Sequence, residues 1–102
     1  MALNKWIPES DPAILRRVGK TGEEAAEVGK VCSRITIQGI EGVDPASGKS
    51  NRQMLMDELA DMQAQIGCCV LQFDLDQDYM ARRTAEKVRL MGEWEAMFRE
   101  PA

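Results

Sequence analysis

The chain has 102 residues, a formal charge of −4 and no histidine. That length suits one small domain with a modest core. Without histidine the chain can form no Ser-His-Asp or Cys-His nucleophile, no His-ligated zinc and no Glu-x-x-His di-iron bundle. Hydrolytic chemistry must then rest on carboxylates, lysines and a metal. The acidic balance argues against a nucleic-acid partner. Cys32, Cys68 and Cys69 are odd in number and lack C-x-x-C spacing, so they read as reduced thiols of a cytoplasmic protein. No apolar run approaches the roughly 20 residues that span a bilayer. Residues 1–11 lack the apolar segment of a signal peptide. The expectation is a soluble chain with no membrane partner.

Residues 1–10 read as a lead-in. Trp6 and Ile7 are expected to dock on the helices, with Trp6 alternatively stacking on a nucleobase. Asp11-Pro12 is a helix start, an N-cap before proline at the first helical position. Ile14, Val18, Thr21, Ala25, Val28, Cys32 and Ile35 then recur at steps of four and three, the pattern of a bundle seam. Thr21 to Glu24 also reads as a capping box, which would break this helix and make four helices of three. One residue ahead of the seam runs the row Arg17, Lys20, Glu24, Glu27, Val31, Arg34.

Residues 38–50 are glycine-rich and hold a proline, so they read as a loop. Gly42 and Gly48-Lys49-Ser50 imitate a phosphate-binding loop. Five residues separate the glycines where that loop needs four, and no parallel sheet is in prospect. Lys49 and Arg52 are candidates to meet substrate phosphate from this loop. Ser50 to Gln53 is a second capping box. The seam of the following helix is Leu55, Leu59, Met62, Ile66, Cys69 and Phe73. Its neighbouring row is Met54, Glu58, Asp61, Gln65 and Cys68. Asp76 caps a last helix expected to reach Arg99, before Pro101. Arg82, Arg83, Lys87 and Arg89 make its middle basic, with Lys87 the first candidate to hold phosphates.

The chemistry concentrates in Glu23-Glu24-Ala25-Ala26-Glu27 and Glu58-Leu59-Ala60-Asp61. Carboxylates at i, i+3 share a helix face. Both pairs sit at the same offset from their seams, so two antiparallel helices can bring them to one groove. Four carboxylates that close repel unless a hard cation neutralises them. Magnesium suits oxygen ligands and keeps an open side for phosphates. A solvated acidic face is the plain alternative.

At these residues the chain resembles the MazG-like all-α nucleoside triphosphate pyrophosphohydrolases. That group carries a Glu-Glu-x-x-Glu helix, a Glu-x-x-Asp helix and a lysine-bearing helix, here matched by Lys87 in Ala85-Glu86-Lys87-Val88. The likeness covers roughly residues 12–95. It implies a single domain, an all-α antiparallel bundle completed by a second copy as a homodimer or dimer of dimers. It also implies Mg²⁺-dependent cleavage of a (deoxy)nucleoside triphosphate to monophosphate and pyrophosphate, with Mn²⁺ as a substitute. Glu24, Glu27, Glu58 and Asp61 would then be metal ligands, and Glu23 or Glu27 the catalytic base. Lys20, Lys87, Lys49, Arg52 and Trp6 would bind substrate. The connection between the acidic pairs is longer than the resemblance implies, with 42–50 as the insertion. Two other functions fit the residues: a non-catalytic dimeric interaction module, and a phosphoribosyl-ATP-type pyrophosphohydrolase.

Overall fold

Among the described residues the chain forms three helices: α1 (Pro12–Gln38), α2 (Asn51–Phe73) and α3 (Gln77–Ala96). The structure is a computed structural model and describes residues 6–99. The start of the lead-in (1–5) and Pro101 lie outside the described residues. Each helix begins where the capping signals place it. Asp11 accepts from the backbone of Ala13 and Ile14, with Pro12 opening the first turn. Ser50 Oγ accepts from Gln53 N at 3.1 Å, and Asp76 from Tyr79 N at 2.9 Å. Each such cap stabilises its helix by about 1 kcal/mol. The box at Ser50 is only half closed, because the Gln53 side chain donates to Asp57 instead.

Two expectations about helix ends are corrected. The Thr21 capping box does not form, and α1 runs unbroken through it. Thr21 Oγ1 donates back to the Arg17 carbonyl at 2.8 Å, a bond that a mid-helix threonine can make without breaking the ladder. That proton being spent, the Cys69 thiol is the donor in the 3.2 Å contact between Thr21 and Cys69. At the other end, α3 stops at Ala96 rather than Arg99. There the bonds tighten to i→i−3, from Met97 to Trp94, Phe98 to Glu95 and Arg99 to Ala96.

Helices α1 and α2 pack as an antiparallel hairpin, with Arg17 opposite Gln65 and Gln72, Thr21 opposite Cys69, and Arg34 opposite Met54. The covered row of α1 is Ile14, Arg17, Thr21, Glu24, Val28, Val31, Arg34 and Ile35. Val18, Ala25 and Cys32, expected in the seam, are exposed. On α2 the contact covers Leu55, Met62, Cys69 and Phe73 of the expected seam together with Met54, Glu58, Gln65 and Cys68, while Leu59 and Ile66 stay open. A strict seven-residue seam drifts around a straight 3.6-residue helix, so the facing row moves sideways along its length. The carboxylate rows thus lie at the margin of the interhelical contact, with Glu24 and Glu58 half-buried and Lys20, Glu27 and Asp61 exposed.

One further correction concerns the lead-in. Trp6 is 99% exposed and Ile7 85%, so neither docks. The loop of residues 39–50 is not a plain solvated turn. Val43 and Ser50 form an isolated β-bridge. The Asn51 side chain, wholly buried, donates from Nδ2 to the Gly39 carbonyl at 2.9 Å, and Asn51 N donates to the Gly42 carbonyl at 2.7 Å. Gly42 must lack a side chain, since a Cβ there would lie 2.9 Å from the Gln38 carbonyl. Among the described residues no strand flanks this loop, so it is not a phosphate-binding loop.

Helix α3 packs closely against neither α1 nor α2. A tight turn joins it to α2, with Asp74 in the left-handed region at φ 49°. The chain is consequently extended, with a radius of gyration of 18.4 Å, against about 13 Å for a compact chain of this length. Among the described residues only Val31, 4% exposed, is a buried hydrophobic side chain. No helix among the described residues is long and apolar enough to cross a membrane.

Candidate functional site

The hairpin brings together Glu24 from α1 and Glu58 and Asp61 from α2. Carboxylate oxygens of the three lie within 4.8 Å of one another. Glu24 and Glu58 are half-buried and Asp61 is exposed. Glu58 carries the strain of this crowding. Burial raises its pKa above the ordinary carboxyl value, and the charges of Asp61, Glu27, Glu24 and Asp57 raise it further. Two of these neighbours come from the facing helix. The i, i+3 spacing thus does what it implied on α2, where Glu58 and Asp61 share the groove.

Glu27 is the expected ligand that stands apart. It is exposed and is not one of the three converging carboxylates, though its charge still reaches Glu58. Glu23 points outward to Lys20, whose Nζ lies 3.6 Å from Glu23 and 3.5 Å from Glu24. The charge of Glu23, and then the hydrogen bond and charge of Glu24, raise the Lys20 pKa. The Lys20 ammonium therefore lies at the rim of the cluster, where an incoming polyanion would meet it.

The other cationic candidates are placed elsewhere. Lys49 bonds Asp57 at 3.1 Å, and Arg52 Nε bonds Glu41 at 2.6 Å, so both are committed to carboxylates. Lys49 and Gln53 together lower the Asp57 pKa. Lys87 lies on α3, in a shallow depression of about 820 Å³ with Tyr79, Met80 and Met91, away from the hairpin contact. Trp6 contacts nothing that would hold it at the cluster.

The chain matches no family model, no curated protein and no solved structure. The reading of the site therefore rests on its own residues.

Three polar residues in the groove drew no role from their spacing. Arg17 Nη1 donates to Gln65 Oε1 at 2.9 Å and Nε to Gln72 Oε1 at 3.0 Å. Gln72 in turn donates to the Ala13 carbonyl at 3.2 Å. Arg17 and Gln65 do fall in the carboxylate rows, which was the available signal. Gln72 continues the α2 row one step of four beyond Cys68.

The donor set fits a hard divalent cation. It offers only oxygen ligands, on rigid helices, open on one side through the exposed Asp61. Glu24, Glu58 and Asp61 would hold such an ion, and the repulsion on Glu58 is what an ion would relieve.

Proposed function

We propose that the chain is a Mg²⁺-dependent pyrophosphohydrolase that cleaves a (deoxy)nucleoside triphosphate to the monophosphate and pyrophosphate. The single observation that carries this reading is the convergence of Glu24, Glu58 and Asp61 across two helices. The resemblance of both acidic motifs to the MazG-like pyrophosphohydrolases supports it. When bound, the ion supplies neutralisation of phosphate charge and polarisation of the phosphoryl group.

The chain's own groups account for the rest. Water adds to the α-phosphorus and the α–β anhydride bond breaks, its electron pair leaving with pyrophosphate. Glu27 is the carboxylate beside the cluster that is not drawn into it. That makes it the better-placed general base for the water's proton. Glu23 is already engaged by Lys20 and is the weaker candidate. Lys20, at the rim, offers its ammonium to the phosphate chain. Trp6, fully exposed, is available to stack on the base.

The working unit in this proposal is a homo-oligomer. The chain exposes 8565 Å² for 11.4 kDa, where a compact chain of that mass exposes about 5,800 Å². The excess is of the size that obligate interfaces bury. Tyr79, Val88, Trp94, Met97 and Phe98 give α3 its share of that open apolar surface. Lys87 would then enter the site from a second copy. The free cysteines agree with a cytoplasmic setting.

Incubation of the purified protein with Mg²⁺ and a panel of nucleoside triphosphates should yield monophosphate and pyrophosphate. Inactivity on every nucleotide would overturn the reading in favour of an interaction module. So would an Asp61→Asn variant that folds and keeps full activity.

A further inference from the structure

The first turns of α1 and the last turns of α2 hold no acid of their own, although Glu9, Asp11, Asp74 and Asp76 flank them. Residues 12–22 of α1 carry Arg16, Arg17 and Lys20 and no acid, and residues 62–73 of α2 carry no charge at all. The other end of the hairpin pairs its acids, with Lys49 on Asp57 and Arg52 on Glu41. At the basic end an open depression of about 560 Å³ is lined by Ala13, Arg16, Arg17 and Gln72.

Within it, Arg17 is half-buried and fixed. Its Nε and Nη1 donate to the neutral amide oxygens of Gln72 and Gln65, and the Ala13 carbonyl fixes the Gln72 amide from behind. A guanidinium has five N–H donors, so three remain. Among the described residues no carboxylate pairs with Arg17, although the chain has 17 acidic residues. A planar fork held by neutral partners keeps its full charge for an outside anion, and its orientation is settled beforehand.

We propose that Arg17, with Arg16, forms an anion subsite that takes the pyrophosphate end of the substrate. The subsite deepens the pyrophosphohydrolase reading and rests on it for the identity of the anion. Arg17, Lys20 and Glu24 follow one another along a single face of α1. From Arg17 to Glu24 the rise is about 10 Å, and both side chains reach inward along it. Lys20 bridges the interval, 3.5 Å from Glu24. A phosphate chain anchored at the carboxylates can run along this track toward Arg17, which places the leaving group toward Arg17 and the nucleoside away from it.

The test is titration calorimetry of inorganic pyrophosphate into the full chain, with EDTA and again with Mg²⁺, beside nucleotide hydrolysis on the same preparations. The wild type binds pyrophosphate. Arg17→Gln weakens it on the order of tenfold or more, the loss expected for a hydrogen bond to a charged group. Arg17→Lys recovers only part, because an ammonium lacks the fork. Arg16→Gln, at an exposed position, gives a smaller loss and serves as the readout if Arg17→Gln fails to fold. An Arg17→Gln chain with a lower melting temperature and unchanged pyrophosphate affinity would make Arg17 an interhelical tie and overturn the proposal. Absence of pyrophosphate binding in both buffers would overturn it as well. Arg17-dependent binding without nucleotide hydrolysis would keep the subsite and sink the enzyme reading. Hydrolysis with pyrophosphate affinity indifferent to both arginines would do the reverse.

Discussion

The hairpin and α3 are built from similar residues and have opposite fates. The hairpin spends its polar side chains inward. Arg17, Thr21 and Glu24 face Gln65, Cys69, Glu58 and Asp61 across one contact. Helix α3 keeps its ion pairs to itself, with Arg89 bonded to Glu86 and Glu93 on its own surface, and leaves Trp94 53% exposed. A helix whose pairs are all local gains little from them, about 0.3–0.5 kcal/mol each, and draws its stability from packing. The hairpin thus has an interior that is chemically loaded. Helix α3 leaves its large apolar side chains exposed.

The largest effect should come from the loaded interior. In the proposed enzyme Glu58→Gln removes a central carboxylate and should cut hydrolysis by about a hundredfold or more, the scale of several kcal/mol of lost charge stabilisation. The same variant should be more stable than wild type at neutral pH in EDTA. Burial and four like charges hold the Glu58 pKa above its ordinary value. A raised carboxyl pKa contributes stability that is full below the unfolded value and is lost as pH rises through the folded value. Thermal melts in EDTA should therefore show wild type losing stability upward from the ordinary carboxyl range, and Glu58→Gln losing less. Added Mg²⁺ should restore the wild type and leave the variant nearly unmoved. Identical pH profiles would show that the crowding is not felt in solution.

Next comes the buried amide that ties the loop. Asn51→Asp sets a carboxylate against the Gly39 carbonyl in a wholly buried position. It should cost about 3 kcal/mol, read as a shift in urea midpoint. A third comparison turns to α3. Trp94→Ala removes one ring of an edge-to-face pair with Phe98, centroids 5.1 Å apart. Among the described residues helix α3 packs closely against neither α1 nor α2, so helicity by circular dichroism should hold while the proposed oligomer shrinks in light scattering. A variant that keeps the wild-type mass would mean that this face is not the one covered. The smallest change should be Lys49→Ala. It breaks an exposed pair with Asp57, worth under about 1 kcal/mol.

Much of this was legible in the residues. The caps at Asp11, Ser50 and Asp76 are local hydrogen bonds, and local chemistry can be read locally. The convergence of Glu24 with Glu58 and Asp61 was legible because two rows shared an offset. What escaped depends on the third dimension. The repeat of Val18, Ala25 and Cys32 does not say whether its own partner or another copy will cover it, and the hairpin left it open. Trp6 was expected to dock because aromatic residues usually do, yet a single chain offers it no surface. Thr21 could cap or back-bond with the same hydroxyl, and only the continuing helix decides. The residues of the Arg17–Gln65–Gln72 clasp sit in or continue the two rows, but periodicity does not say which long polar side chains will reach one another.

Asn51 has one further implication. Its backbone and amide pin both arms of the connection at a single point, so the stretch from Asp44 to Gly48 hangs outside that knot as an eyelet. Material threaded into the eyelet, whether a few extra residues or a fluorophore at Ser47, should leave the helix register below it undisturbed. The knot gives the chain a handle by which separation of its two long arms can be watched without touching the groove between them.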